Sequence, residues 1–532
     1  MFESTLGSLP PELLVQVLSH LEPEDLSSFY PLSRRFHSPV EQVLRQLASG
    51  YGVPETLPTN FANWTQALMF LAMVRKNRRR VACIDSHNAF VASDGTFLIC
   101  GSEFNLDVMH RPYTIAPLLG RGRGPKVIQR IPAPIAGLAG VRIQSIAAKG
   151  HSIIVLSVDG TAFSWGYGGG GVLGHGDQEN VAQPKPISKL RNVCDISLSS
   201  HALASTSDGV LWSWGCNYKG KLGHGDANEY PIPIQLSPRR VVALAGKHIL
   251  QVAAGPTSLL VCADGDCYSM GRHFNDEYLD KPVRMDELCG ERVINVASSG
   301  HTCMAVTARG NVWQWGFSDI FTCEWRDDVE PQKLKEEMAP TQLRGTLLDN
   351  HRVVSIVLDE YICLALTADG AVFSWSPTKI VPYIDYSDAY PDYDPRDALG
   401  HGNGRGRLRA RIDEEMKPRQ IEALAGQRIC SIGTGSGQSL AITGGDAPSQ
   451  LAWSWGALFE VHPNLPRDTL DDLRSATSGS FEELEESDMV RMKRYAVSRF
   501  GHGDDPHREY YLPHRVSLSS RKHVHMIPMK AM

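Results

Sequence analysis

The stretch GHSIIVLSVDGTAFSWGYGGGGVLGHGD, residues 150–177, is one full cycle of a phrase that recurs through the chain. It holds a Gly-His, an apolar strand, the turn Asp159-Gly160, the strand Phe163-Ser164-Trp165-Gly166 and the loop Leu173-Gly174-His175-Gly176. Period-two apolar residues on both sides of an Asp-Gly pair predict a β-hairpin, with the pair supplying the positive φ of a tight two-residue turn. A second nearly complete copy runs through His201, Asp208-Gly209, Trp212-Ser213-Trp214-Gly215 and Leu222-Gly223-His224-Gly225. Weaker copies keep the spacing from turn to strand end: Asp94 to Cys100, Asp264 to Met270, Asp369 to Trp375 and Arg309-Gly310 to Trp315. A looser turn near Asp446 leads to Trp455, which makes seven units. Leu98, Phe163, Trp212, Tyr268, Trp313, Phe373 and Trp453 point one way, and Ser164, Ser213, Ser269, Ser374 and Ser454 the other. Units of about 50 residues with this signature indicate a propeller or another stacked array.

The phrase resembles the regulator of chromosome condensation repeat, over roughly residues 81–520. The resemblance implies a mainly β fold, a seven-bladed β-propeller occupying 81–527. Complete units place the Leu-Gly-His-Gly loop eight residues after the tryptophan. Two units depart from this: Trp375 precedes Leu399-Gly400-His401-Gly402, and Trp455 precedes Phe500-Gly501-His502-Gly503, leaving insertions at 377–398 and 457–499. Loops of this size are functional or disordered. The first interleaves Tyr383, Tyr386, Tyr390 and Tyr393 with aspartates. It reads either as a recognition loop for a basic partner or as a solvated loop resting on its own blade. Arg405, Arg407, Arg409 and Arg411 alternate, so an extended chain aims them one way, to pair with those aspartates or to read an acidic partner. The second insertion is Ser- and Glu-rich and reads as disordered.

Ahead of the repeats, LPPELLVQVLSHLEPEDLSSFYPLSRRF, residues 9–36, is a helical head. Leu13, Leu14, Val17, Leu18 and Leu21 recur at helical spacing behind a proline at the helix entrance. A second turn-and-helix carries Leu26, Phe29, Leu32 and Phe36, with Pro31 expected to kink or shorten it. So small a unit cannot bury its apolar face alone and has to dock on its own protein or on a partner. Leu9-Pro10, Glu12-Leu13-Leu14, Val17-Leu18, Asp25-Leu26 and Ser33-Arg34-Arg35-Phe36 resemble the F-box, here taken as 5–50. Residues 51–80 read as a helical linker, with Phe61, Trp64, Leu68, Leu71 and Val74 at helical spacing. The linker ends in Arg75-Lys76-Asn77-Arg78-Arg79-Arg80, which reads as dipole-complementing charge or as a nuclear localisation signal.

Together the two halves resemble the fungal SCF-associated factor type. That resemblance implies a non-catalytic substrate receptor: the head binds the Skp adaptor, and through it the cullin scaffold, RING subunit and ubiquitin-conjugating enzyme. Leu9, Pro10, Leu13, Leu14, Val17, Leu18, Leu21, Leu26 and Phe36 would form the adaptor surface. The propeller would capture a protein substrate, with Tyr383, Tyr386, Tyr390, Tyr393, Arg405 and Arg407 as candidate contacts. A rival from another class is nucleotide exchange on a Ran-like GTPase, the activity of the repeat family's namesake.

Composition bounds the alternatives. A net charge of −6 over 532 residues provides no global attraction to nucleic acid or anionic membrane. The start lacks a secretory pattern and no apolar run reaches membrane-spanning length, so residence in cytoplasm or nucleus is expected. The eleven cysteines lack C-x-x-C spacing and read as buried reduced thiols, and the sequon Asn63-Trp64-Thr65 is expected to stay unglycosylated. Gly215 to Lys221 imitates a phosphate loop, but Leu222 stands where Ser or Thr would hold magnesium. The glycines 166–171 imitate a dinucleotide fingerprint, yet the same repeat loop explains them. One histidine per unit, His175, His224, His401 and His502, suggests turn chemistry; neither metal spacing nor a catalytic set nor a cofactor motif stands out.

Overall fold

The computed structural model describes residues 6, 9–21, 23–29, 34–48, 57, 61–84, 87–102, 119–120, 128–226, 233–274, 277–300, 302–316, 338–360, 362–377, 399–401, 417–435, 437–444, 450–456 and 514–516. Pro31, His502, most of the first insertion and all of the second, with Tyr383, Tyr386, Tyr390, Tyr393, Arg405 and Arg407, lie outside these residues. Helices α1 (Pro11–Leu18), α2 (Pro23–Phe29), α3 (Arg34–Ala48) and α4 (Trp64–Lys76) precede seven four-stranded antiparallel sheets. The sheets span residues 81–134, 143–186, 193–240, 249–284, 293–342, 353–420 and 429–516, and form the seven blades of a propeller. Every blade is built from consecutive strands, as in blade 1 with β1 (Val81–Ile84), β2 (His87–Val91), β3 (Phe97–Ser102) and β4 (Ile128–Pro134). Val81, Phe90 and Leu98 of blade 1 pack with Leu440, Ile442 and Val516 of blade 7, so side chains close the ring.

The strand ends Cys100, Trp165, Trp214, Met270, Trp315, Trp375 and Trp455 all fall in the third strand of a blade. The turn before that strand is not the two-residue hairpin expected. Gly160 N–H donates to Ser157 O (3.1 Å) and Ser157 N–H donates to Thr161 O (2.9 Å), which makes a three-residue loop. Only Gly160 takes positive φ, 83°, and the loop is a type I turn closed by a glycine bulge. Asp159 instead uses its carboxylate, accepting from Thr161 N–H at 3.0 Å. The same backbone pattern repeats at Ala92–Thr96, Thr206–Val210, Cys262–Asp266, Thr307–Asn311 and Thr367–Ala371, so Arg309 serves where other blades have aspartate.

Each Leu-Gly-His-Gly loop reaches the next blade. Trp214 Nε1 donates to Val172 O across the blade boundary (2.8 Å). A Cβ on Gly174 would stand 2.8 Å from that indole nitrogen, and one on Gly400 would stand 2.7 Å from Trp455 Nε1. The tryptophans are fully buried, so glycine is what lets the loop backbone close over them.

The head and α4 share one core with blades 4 to 6. Asn63 Oδ1 caps α4 by accepting from Gln66 N–H (3.0 Å). The helix is then buried nearly all round, through Ala67, Leu68, Phe70, Leu71, Ala72, Met73 and Val74. It lies between α2 and α3 on one side and the first strands of blades 4 and 5 on the other. The expected second helix of the head is in fact two. The described part of α2 runs to Phe29, and the kink or shortening expected of Pro31 lies outside the described residues. Phe36 belongs to α3 and meets Phe29 edge to face at 5.6 Å. The cysteines at 83, 303 and 363 are buried, and burial pushes the Cys303 thiol up to about 12.

Candidate functional site

The faces of the propeller are set by strand direction. The linker delivers the chain to the start of β1, and the glycine turns lie on that same side: Val91 N–H donates to Arg80 O (2.8 Å) and Ile143 N–H to Gly95 O (2.8 Å). Antiparallel pairing then makes each third strand end on the opposite side.

The head presents a divided surface. Leu14 and Leu18 are fully buried, together with Leu26 and Phe36, and hold α1 against α3 and α4. Leu9 and Leu21 are partly buried against the same core. Leu13 (47 % exposed) and Val17 (40 %), one turn apart, face outward with Pro10. The single apolar face expected from spacing is therefore two: an inward pair that builds the head and an outward pair free of its core. Arg35 Nη2 donates to Leu9 O (2.7 Å), fixing the entry to α1.

The basic run is spread over the fold. Arg75 Nη1 donates to Gln46 O (2.7 Å) and to Leu47 O, occupying terminal carbonyls of α3. Asn77 Nδ2 donates to Ile294 O in blade 5 (3.1 Å). Arg79 reaches Ser197 Oγ in blade 3 (3.3 Å), and its carbonyl accepts from Ile146 N–H in blade 2. Arg80 donates to Ala92 O in blade 1 (2.7 Å), and its N–H donates to Ser431 Oγ in blade 7 (3.1 Å). The chain thus bonds blades 1, 2, 3, 5 and 7 before entering β1. Burial raises the carboxyl of Asp195, near Arg79, to about 6.

The repeated histidines face serines. Ser164, Ser213 and Ser374 are buried and donate to Leu173 O (2.7 Å), Leu222 O (2.7 Å) and Leu399 O (2.6 Å). Their hydroxyl oxygens then accept from His175, His224 and His401 Nε2, at 2.9, 3.0 and 2.9 Å. A serine whose proton is committed to a carbonyl is a structural bridge, not a poised nucleophile. His401 in this way pins the return from the first insertion.

Side chains of the same repeat loops occupy the two imitation motifs. Gly168 and Gly170 N–H donate to Asn180 and Gln178 (3.0 Å each), and Asn217 Oδ1 accepts from Leu222 N–H (3.0 Å). Lys221 Nζ donates to Ser200 Oγ (2.6 Å). Lys219 takes φ 62°, with its ammonium 5.0 Å from the Tyr218 ring and 4.5 Å from the Tyr278 ring.

Sequence reasoning missed the blade-spanning role of Asn77, Arg79 and Arg80 and the pairing of Lys149 with Asp359 (3.0 Å). The one available signal was positional. Lys149 ends the first strand of its blade and Asp359 directly follows that of its own, where Ser199, Ser299 and Gly435 stand in others.

Comparison with known proteins agrees with this architecture. The F-box-like family model matches residues 6–46, and the regulator of chromosome condensation (RCC1) repeat model matches 159–203 and 208–262. Human E3 ubiquitin-protein ligase HERC2 is 30% identical over 329 residues, 59% of this chain but only 6% of HERC2. The mitochondrial RCC1 domain-containing protein RUG3 of Arabidopsis thaliana is 28% identical over 330 residues, 58% of this chain and 64% of RUG3. The guanine nucleotide exchange factor SRM1 of Saccharomyces cerevisiae is 26% identical over 234 residues, 42% of this chain and 44% of its own. The crystal structure of human WBSCR16 shares the fold, with a TM-score of 0.51 at 19% identity, covering 76% of this chain and 91% of that one. The chain carries an F-box-like domain followed by a seven-bladed propeller of RCC1-type repeats.

Proposed function

We propose that this protein is the substrate-recognition subunit of an SCF (Skp–cullin–F-box) ubiquitin ligase in the cytoplasm or nucleus. The observation that carries the reading is the outward strip Pro10, Leu13 and Val17 on an F-box-like head seated on one propeller face, while the third strands of the blades end on the other. The strip would dock the Skp adaptor, and through it the cullin, RING subunit and conjugating enzyme. The propeller would hold a protein substrate. Its contribution to rate is positional, raising the effective concentration of a substrate lysine without supplying a chemical group. Because α4 and the residues after it bond the head to several blades, orientation between the two faces is fixed by packing.

Co-purification tests this. The Leu13→Asp, Val17→Asp variant, folded as wild type, is expected to lose adaptor recovery; undiminished recovery would refute the reading. The second reading, nucleotide exchange on a Ran-like GTPase, is favoured by the similarity to SRM1. Release of labelled GDP from Ran by the full chain separates the two.

A further inference from the structure

The first strands of all seven blades line an axial channel of about 260 Å³. Its rim on the loop side is formed where those strands end. Lys149 pairs with Ser152, Ser299 with Thr302 and Gly435 with Gln438, while Ser199 N–H donates to His201 O and Asp359 N–H to Ile362 O. These contacts put Lys149, Ser199, Ser299, Asp359 and Gly435 at equivalent positions in five blades. Three are small and, among the described residues, leave the rim open. The other two reach for each other, from blade 2 to blade 6, with Lys149 Nζ 3.0 Å from Asp359 Oδ1.

The two partners differ in what they lose by parting. The Asp359 side chain is 7% exposed and the Lys149 side chain 50%. A buried carboxylate requires a cation, whereas a half-exposed ammonium returns to water readily. The exchangeable member is therefore the lysine, and the retained member is the carboxylate. Exposed Glu360 stands beside it and adds negative charge at the rim. Arg79, at the channel's other end, opposes deeper entry of a cation.

We propose that this rim is a recognition site for a basic side chain, lysine or arginine, of a bound protein, which takes the place of Lys149 on Asp359. The proposal rests on the propeller being a capture platform and names the group captured. Its test uses the full chain without any adaptor, so its failure is separable from failure of adaptor docking.

The probe is fluorescein-labelled Gly-Arg-Gly amide, followed by polarisation, with the Gly-Glu-Gly analogue as the charge control. Lys149→Met removes the internal occupant and is expected to tighten binding of the arginine probe several-fold. Asp359→Asn, nearly isosteric, is expected to weaken it tenfold or more, and the glutamate probe is expected to bind more weakly than the arginine probe throughout. Unchanged binding in both variants overturns the proposal, as does loss of binding in Lys149→Met. Should Asp359→Asn fail to melt as a folded protein, Lys149→Met and Glu360→Gln decide: tightening in the first and weakening in the second support the site, and any other pattern overturns it.

Discussion

Ser213 Oγ and His224 Nε2 stand 3.0 Å apart, with the serine proton committed to Leu222 O. That arrangement calls for a proton on the imidazole Nε2. Partial burial, and then the charge of Arg239 or Arg419, lowers the His224 and His401 pKa values to about 4. An unfolded histidine titrates near ~6.5. Between these values the unfolded chain binds more protons, so this stability is complete above about pH 6.5 and is lost as pH falls towards 4. Asp195 acts in the opposite sense: burial lifts its pKa from 3.8 to about 6, and its contribution is lost as pH rises through that interval. Urea unfolding at pH 7.5 and pH 5 should show a lower midpoint at pH 5. The His224→Gln, His401→Gln double variant should show a smaller difference; an unchanged difference would rule out these histidines as the cause.

Leu13 and Leu14 are adjacent in sequence and opposite in consequence. Leu14→Ala empties a fully buried site and should cost about 2–5 kcal/mol in denaturant unfolding. Leu13→Ala should stay within about 0.5 kcal/mol of wild type. Equal losses for the two would contradict the packing of α1.

Arg75 occupies carbonyls at the end of α3, and Asn77 Nδ2 bonds the buried carbonyl of Ile294. Asn77→Ala leaves that carbonyl unsatisfied, at a cost of about 1–3 kcal/mol. Arg75→Ala should loosen the head before the propeller. Limited proteolysis is expected to cut between α3 and α4 faster in Arg75→Ala than in wild type, with the propeller's melting temperature retained. Simultaneous loss of both units would place the seam elsewhere.

Gly174 and Gly140 have φ of 78° and 77°, but only Gly174 faces an indole across a blade boundary. Gly140→Ala should cost about 1–2 kcal/mol for the backbone alone. Gly174→Ala carries the same backbone cost and must also displace Trp214, so it should cost more. Thermal unfolding with tryptophan fluorescence reads both terms, and equal costs would mean the loop gives way without strain.

The seven repeats were legible because a hairpin is written by neighbours: turn glycine, alternating strand residues and an aromatic at fixed spacing. Even there, Arg309 in the aspartate position was a sign that the turn depends on glycine φ and not on the aspartate backbone. The histidines were legible only as turn chemistry, since their serine partners come from a strand eleven residues earlier in two blades and twenty-seven earlier in blade 6. At the outward strip, helical spacing placed Leu13, Leu14, Val17 and Leu18 on one broad face. Spacing alone could not say which edge of that face the head would consume.

Sequence by itself determined the number of blades, the amphipathic head and the positions of the two insertions, because each depends on residues close together in the chain. Tertiary structure alone decided that Leu13 and Val17 remain outward, that the basic run bonds five different blades, and that Lys149 meets Asp359 across 210 residues. Those relationships arise when a closed ring brings distant strand ends to one axis, and no local pattern encodes which of them will meet.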